Sequence, residues 1–318
     1  MNEIRVAVIG VGYLGKFHAQ KYSVMDNVQL VGVADINMSR AAEVAAGFGT
    51  RAFNDHRDLL SSVDAVSIVV PTESHYAIGL DFLQHDVDVL IEKPMTSTLE
   101  QADELIELAE SRRRILQIGH LERFNPAVMA LKDIVDHPMF IESNRLSTFK
   151  DRCTDVSVVL DLMIHDIDII MNLVKSEIKS IHAAGVPVIC KNADIANVRL
   201  QFENGCVANV TASRISTKNQ RKIRLFQKDA YISVDFVDRE IVLIRRNANH
   251  SNGVVPGTDI QQLSFSDADV LEDELASFIQ AVQTRQPPMV SGRTGRKALD
   301  VALKIMDEID AAIARYLL

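Results

Sequence analysis

The sequence predicts an α/β protein in two parts: a doubly wound parallel sheet, then an α/β domain with an open, mostly antiparallel sheet. Three observations predict it. From Ile4 to about Gly119, short apolar runs alternate with helix-like segments, the pattern of parallel strands joined by helical crossovers. After Gly119 the segments lengthen, alternate apolar with polar residues and are joined by hairpin-like turns. The 318 residues are enough for two domains, expected at 1–121 and 122–318, with the last helix packing back on the first domain.

In the first part, strands are expected at Ile4 to Ile9, Val28 to Ala34, Ala65 to Val70, Val87 to Ile91 and Ile115 to Ile118. A helix from about Leu99 to Glu110 is announced by Ser97 with Glu100 three residues on, a capping box. Asn125-Pro126 caps and starts the next helix. An apolar helix comes next, from about Val156 to Leu173. Strands are then expected near Ile178 to Val188, Asn197 to Phe202, Cys206 to Arg214, Lys222 to Gln227, Tyr231 to Asp235 and Glu240 to Arg245. Asn204-Gly205 reads as a tight hairpin with two positive φ angles. Asn247 to Gly257 is a polar loop, and helices close the chain at Val270 to Thr284 and Gly295 to Arg315. An open sheet needs its edge or second face covered, so a homodimer or homotetramer formed through that sheet is expected.

Composition narrows the function. The chain is 47% apolar without tryptophan, sufficient for globular cores poor in large aromatics. No apolar run reaches the about 20 residues that cross a bilayer, and Met1-Asn2-Glu3 leads straight into a strand rather than a basic, apolar leader. A cytoplasmic protein with no membrane partner is the expectation. A net charge of −9 offers no general affinity for nucleic acid. Cys153, Cys190 and Cys206 lack the paired spacing of zinc sites, so reduced thiols and no metal are expected.

The chemistry begins at Gly10-Val11-Gly12-Tyr13-Leu14-Gly15, which follows the first strand, with Asp35 ending the second. Gly10 lets the chain turn sharply, Gly12 lets the backbone approach a pyrophosphate, and Gly15 lets the next helix pack close to the sheet. The N–H groups and positive dipole end of that helix face the phosphates. Flavoproteins and methyltransferases also place glycine-rich turns after a first strand. The added acid, at about the twenty-residue offset expected for a ribose contact, points to a Rossmann domain for a nicotinamide dinucleotide. A carboxylate at Asp35 favours NAD over NADP, although Arg40 just beyond it is placed to serve a phosphate.

Further candidates lie at the same sheet edge. Glu92-Lys93-Pro94 follows the fourth strand, and proline stiffens the turn that presents Lys93. Thr72 and His75 follow the third strand, positioned to touch cofactor or to cap the next helix. On the helix Val156 to Leu173, Asp161, His165, Asp168 and Asn172 fall at i, i+4, i+7 and i+11, one polar stripe on an apolar rod. Such a stripe faces either a site or a structural polar network, and Asp161 is spaced to hold the His165 ring as an acid or base. Arg123, Asn125 and Lys150, with Arg152, Arg214, Lys218, Arg221, Lys222 and Arg224, could neutralise a diphosphate or be ordinary solvated charge.

The glycine turn, Glu92-Lys93-Pro94 and Asp161-x-x-x-His165-x-x-Asp168, in that order, resemble the glucose-fructose oxidoreductase / inositol dehydrogenase (Gfo/Idh/MocA) family over essentially the whole chain. The resemblance implies a Rossmann domain, an α/β domain with an open sheet, a nicotinamide cofactor and hydride transfer at a sugar or cyclitol carbinol. It implies that Lys93 lies near the reacting hydroxyl and that His165, oriented by Asp161, is the acid/base; Lys93 and His165 together take the proton, either being the formal base. Gly119 to Pro126 and Thr154 to Asp168 resemble the branch that oxidises C3 of UDP-N-acetylglucosamine for a partner aminotransferase. Val156-Ser157 stand where many relatives carry paired glycines, and Cys153 stands where glycine is common. A cyclitol or monosaccharide dehydrogenase and a non-catalytic NAD/sugar sensor are the alternatives.

Overall fold

The computed structural model describes residues 3–149, 156–247, 256–265 and 268–316. The chain forms two compact units, one of residues 1–121 with 269–299 and the other of 122–268 with 300–318.

The first unit runs β1 (Ile4–Ile9), α1 (Tyr13–Val24), β2 (Val28–Ala34), α2 (Met38–Phe48), β3 (Arg51–Phe53), β4 (Ala65–Ile68), α3 (Thr72–Gln84), β5 (Asp88–Glu92), α4 (Leu99–Ser111) and β6 (Leu116–Gly119). The parallel sheet has the order β3-β2-β1-β4-β5-β6. Helices cover both faces of such a sheet, which is why β4 and β5 are buried along their whole length and read as apolar runs rather than alternations. The three-residue β3, pairing with Gly32–Ala34, is too short to show any periodicity in the sequence. The expected cap at Ser97 is corrected to Thr98, whose hydroxyl accepts from the Gln101 amide. Gln101 in turn accepts from the Ser97 amide, so the box is displaced by one residue.

The second unit contains α5 (Pro126–Ile134), β7 (Pro138–Leu146), a π-helical turn (Val159–Met163) continuing into α6 (Ile164–Val174), and β8 (Ile178–Val186) through β9 (Ile195–Phe202), β10 (Val207–Ser213), β11 (Gln220–Gln227), β12 (Ala230–Asp235), β13 (Glu240–Arg246) and β14 (Thr258–Ser264). Their order is β14-β13-β12-β11-β7-β10-β9-β8. The sheet is antiparallel except where β7 and β10 pair in parallel. β7, which the sequence pattern does not reveal, lies at its centre. Its polar run Glu142-Ser143-Asn144-Arg145 hides the strand signal, and Arg145 is buried because it pairs with acids rather than with water. The hairpin at Asn204-Gly205 also differs from expectation. Only Gly205 has positive φ, at 88°, while the Asn204 side chain accepts from the Cys206 amide, so the turn is a three-residue loop with a glycine bulge.

Chain returning to the first unit supplies α7 (Val270–Thr284) and the start of α8 (Gly292–Tyr316). Val290 and Ser291 bond to β6 at Ile118 and Gln117, covering that edge of the parallel sheet. Leu275, Phe278 and Val282 of α7 join Val6, Val8, Tyr22, Val33 and Leu90 in one core. No described helix is long and apolar enough to cross a membrane.

Candidate active site

The strand order reverses direction between β1 and β4, and the crevice outside their carboxyl ends is where ligands of open α/β sheets bind. The glycine turn lies there, and its three glycines do different work. Gly10 has φ +84°, and a Cβ on it would stand 2.5 Å from the Val69 carbonyl oxygen. A Cβ on Gly15 would sit 1.9 Å from the Gly10 carbonyl oxygen, so close packing of α1 on the turn requires glycine. A Cβ on Gly12 would meet no atom of the protein within 4 Å, which leaves an open face on the backbone.

Gly12 is the N-cap of α1 without any side-chain cap bond, and the first turn holds no acid. These N–H groups and the dipole end are therefore offered to an anion. Asp35 follows β2, its Oδ2 accepting from the Val11 amide (3.0 Å) and its Oδ1 from the Asn37 amide (2.8 Å). The Arg40 guanidinium stands 3.7 Å from Asp35 Oδ2 and is half exposed. An open glycine, an uncapped helix and a carboxylate fixed to the same turn fit a dinucleotide. Tyr13 is 72% exposed beside Phe17, and Leu14 follows it in α1.

Glu92 ends β5 and Lys93 follows, half-buried between buried Glu92 and Pro94. Thr72 begins α3, whose cap is Pro71 and carries no side-chain bond. His75, one turn on, is buried, with Nδ1 2.9 Å from the Pro94 carbonyl oxygen and Nε2 2.9 Å from that of Val70. It thereby ties the turn after β5 to the chain after β4, and burial lowers its pKa below the ordinary imidazole value. A neutral ring donates to only one carbonyl at a time.

In the second unit Asp161 lies inside the π turn and His165 just past its end, both half-buried. The regular helix assumed for this stripe is thus corrected: a π turn widens the helix and rotates the residues beyond it relative to those before it. Asp168 is buried, with Oδ1 3.4 Å from Nη1 of Arg123. Arg123 also donates through Nη2 to Asn172 Oδ1 at 3.0 Å, so Asp168, Asn172 and Arg123 form one group. Asn125 caps α5 by accepting from the Ala127 amide and donates to the Phe236 carbonyl. Lys150, Arg152 and Cys153 lie outside the described residues. Cys190 and Cys206 are free thiols. Among the described residues no group of three or more His, Cys, Asp or Glu side chains is arranged to hold a metal.

Sequence reasoning missed Arg145. Its guanidinium binds Asp166 bidentately at 2.8 and 3.1 Å and Glu122 at 2.8 Å, all within the interior. Glu122 is held below the ordinary carboxylate range by Arg145 and Arg221, against the opposing effect of burial. Asp166 adjoins His165 in the chain, so this ion group anchors the helix that carries the histidine to the centre of the sheet. The available signal was an aspartate off the polar stripe of an apolar helix.

The folded chain is thus a Rossmann-type nucleotide-binding protein joined to an α/β unit that carries Asp161 and His165 on a helix opened by a π turn. Residues 4–120 match the oxidoreductase family with an NAD-binding Rossmann fold, and 135–233 match the GFO/IDH/MocA C-terminal domain. UDP-N-acetylglucosamine 3-dehydrogenase of Acidithiobacillus ferrooxidans is 40% identical over 99% of this chain and 100% of its own. The solved structure of that organism's GnnA superposes with a TM-score of 0.93, covering 98% and 99% of the two chains at 40% identity. Myo-inositol 2-dehydrogenase of Thermotoga maritima is 26% identical, covering 93% of each chain. The chain belongs to the Gfo/Idh/MocA oxidoreductase family.

Proposed function

We propose that this protein oxidises C3 of UDP-N-acetylglucosamine to the 3-keto sugar nucleotide with NAD. The observation that carries the reading is the end-to-end 40% identity to a UDP-N-acetylglucosamine 3-dehydrogenase. The dinucleotide is held by Gly10, Gly12, Tyr13, Leu14 and Gly15, with Thr72, His75, Glu92 and Lys93 along the same sheet edge. When bound, its nicotinamide supplies the hydride acceptor. Asp35 favours NAD, because its carboxylate would repel a phosphate on the adenosine ribose, and Arg40, paired with Asp35, is the residue that loss of Asp35 would release for NADP.

Asp161 orients the His165 ring, and a neutral imidazole accepts the hydroxyl proton. Lys93, as an ammonium, stabilises the oxygen as charge develops on it; as a neutral amine it would itself take the proton. Arg123, Asn125 and Lys150 bind substrate, with Asp168 acting through Arg123. The product ketone suits a pathway aminotransferase, and the open sheet suits a homodimer or homotetramer, which light scattering would establish. The inositol dehydrogenase relatives support a second reading, oxidation of a free cyclitol.

The experiment is NADH formation from NAD and UDP-N-acetylglucosamine, with an aminotransferase and amine donor to drain the equilibrium. NADH that appears with the sugar nucleotide and saturable binding of UDP by calorimetry support the proposal; turnover of inositol without UDP binding replaces it with the second reading. Absence of turnover with every sugar, while NAD and a sugar ligand still bind, would leave the sensor.

A further inference from the structure

A buried polar cluster surrounds Glu92 inside the first unit, and the proposed reaction uses none of its other members. Glu274 of α7 is 0% exposed, and neither carboxyl oxygen meets a protein partner. His18 of α1 is likewise fully buried, with Nε2 3.3 Å from Glu92 Oε1 but not aligned for a hydrogen bond, and with Nδ1 unpartnered. Gln117 of β6 donates Nε2 to the Glu274 backbone carbonyl at 3.2 Å and leaves its Oε1 unpartnered. The Glu92 carboxyl is pressed on Gly119, where a Cβ would stand 2.8 Å from its Cδ. Nearby, Tyr22 is satisfied by Ser67 at 2.8 Å.

Buried polar atoms that the protein itself leaves unpaired are expensive, and internal water with two to four polar partners is the usual way they are satisfied. Four elements converge here on a small volume around one carboxylate. We propose that Glu274 is a positioning residue for Lys93: with His18 and Gln117 it holds internal water that fixes Glu92, and with Glu92 the turn that presents the lysine. The role rests on the assignment of Lys93 to the chemistry. Glu274 performs it as a neutral acid, since burial and the neighbouring Glu92 charge push its carboxyl well above the ordinary carboxylate range. A neutral carboxyl has one O–H to donate, and water supplies the other donors that Gln117 Oε1 and the imidazole require.

Two variants and one spectroscopic measurement test this. Glu274→Leu removes the hydrogen-bonding head and is expected to lower kcat by about tenfold or more, equivalent to ~1.4 kcal/mol in the barrier, with NAD still bound and the melting temperature unimpaired. Glu274→Gln, neutral and of the same shape, should restore most of that loss. Infrared spectra at pH 7 should show the carbonyl stretch of a protonated carboxylic acid that disappears in Glu274→Gln. A high-resolution crystal structure should show ordered water between Glu274, His18 and Gln117. Wild-type turnover in Glu274→Leu, an equal loss in both variants, or no band lost in Glu274→Gln would each overturn the proposal. The band and the water are read without any substrate, so a wrong sugar assignment leaves them standing, and their absence overturns the proposal even if Glu274→Leu does not fold.

Discussion

The glycine turn of the first unit and the π-turn helix of the second are built from different materials. Around the glycines the functional groups are backbone: N–H groups of α1 and a turn whose shape depends on missing Cβ atoms, with Asp35 bonded to the same turn. On the π-turn helix the groups proposed for the reaction are side chains, and the helix that carries them is tied through Asp166 and Asp168 to Arg145 and Arg123, which lie far along the chain. A backbone site is written in local sequence because only glycine permits it. A side-chain site is decided by what packs against the helix.

The largest effects should come from the side chains assigned to chemistry. Lys93→Met and His165→Ala are each expected to reduce turnover by roughly 10²–10⁴-fold while NAD still binds, measured by steady-state NADH formation and by nucleotide titration. Unchanged turnover in either variant would remove that residue from the reaction. Arg145→Met leaves Asp166 buried without its cation and Glu122 with only the exposed Arg221, and should cost about 3–5 kcal/mol in chemical denaturation. A loss below about 1 kcal/mol would mean that solvent reaches the pair and that the helix is anchored by packing alone.

The glycines sharpen the comparison at smaller scale. Gly15→Ala drives a Cβ into the Gly10 carbonyl and should destabilise the fold by about 1–3 kcal/mol. Gly12→Ala meets no protein atom, so the melting temperature should hold while dinucleotide affinity falls. Equal melting temperatures in the two variants would contradict the division of labour between these glycines. The smallest effect concerns pH. The Glu274 carboxyl is raised above its ordinary value of 4.5, so the stability it contributes is complete below pH 4.5 and is lost as pH rises toward its folded value. Glu274→Gln should therefore match wild type in melting temperature near pH 4 and exceed it at pH 8.

Much of the fold was legible. Strands β4, β5 and β6 showed as apolar runs because they are buried along their whole length, and the helices at α4, α5 and α7 showed through caps and period. The features that escaped sequence reasoning depend on their surroundings: β3 is a three-residue edge, β7 carries a polar run, β14 is a mostly exposed edge strand, and Glu274 and His18 look like ordinary surface residues of helices. Each owes its state to partners distant in sequence.

The sequence by itself determined the doubly wound sheet, the glycine turn with its acid, and the turn Glu92-Lys93-Pro94 at the end of a strand, because strand period, helix caps and glycine sterics act over a few residues. Only the tertiary structure decided that β7 centres the second sheet, that Arg145 draws Glu122 and Asp166 together, and that Glu274 lies buried near Glu92. Burial and ion pairing depend on which surfaces meet, and no local pattern encodes the identity of a partner distant along the chain.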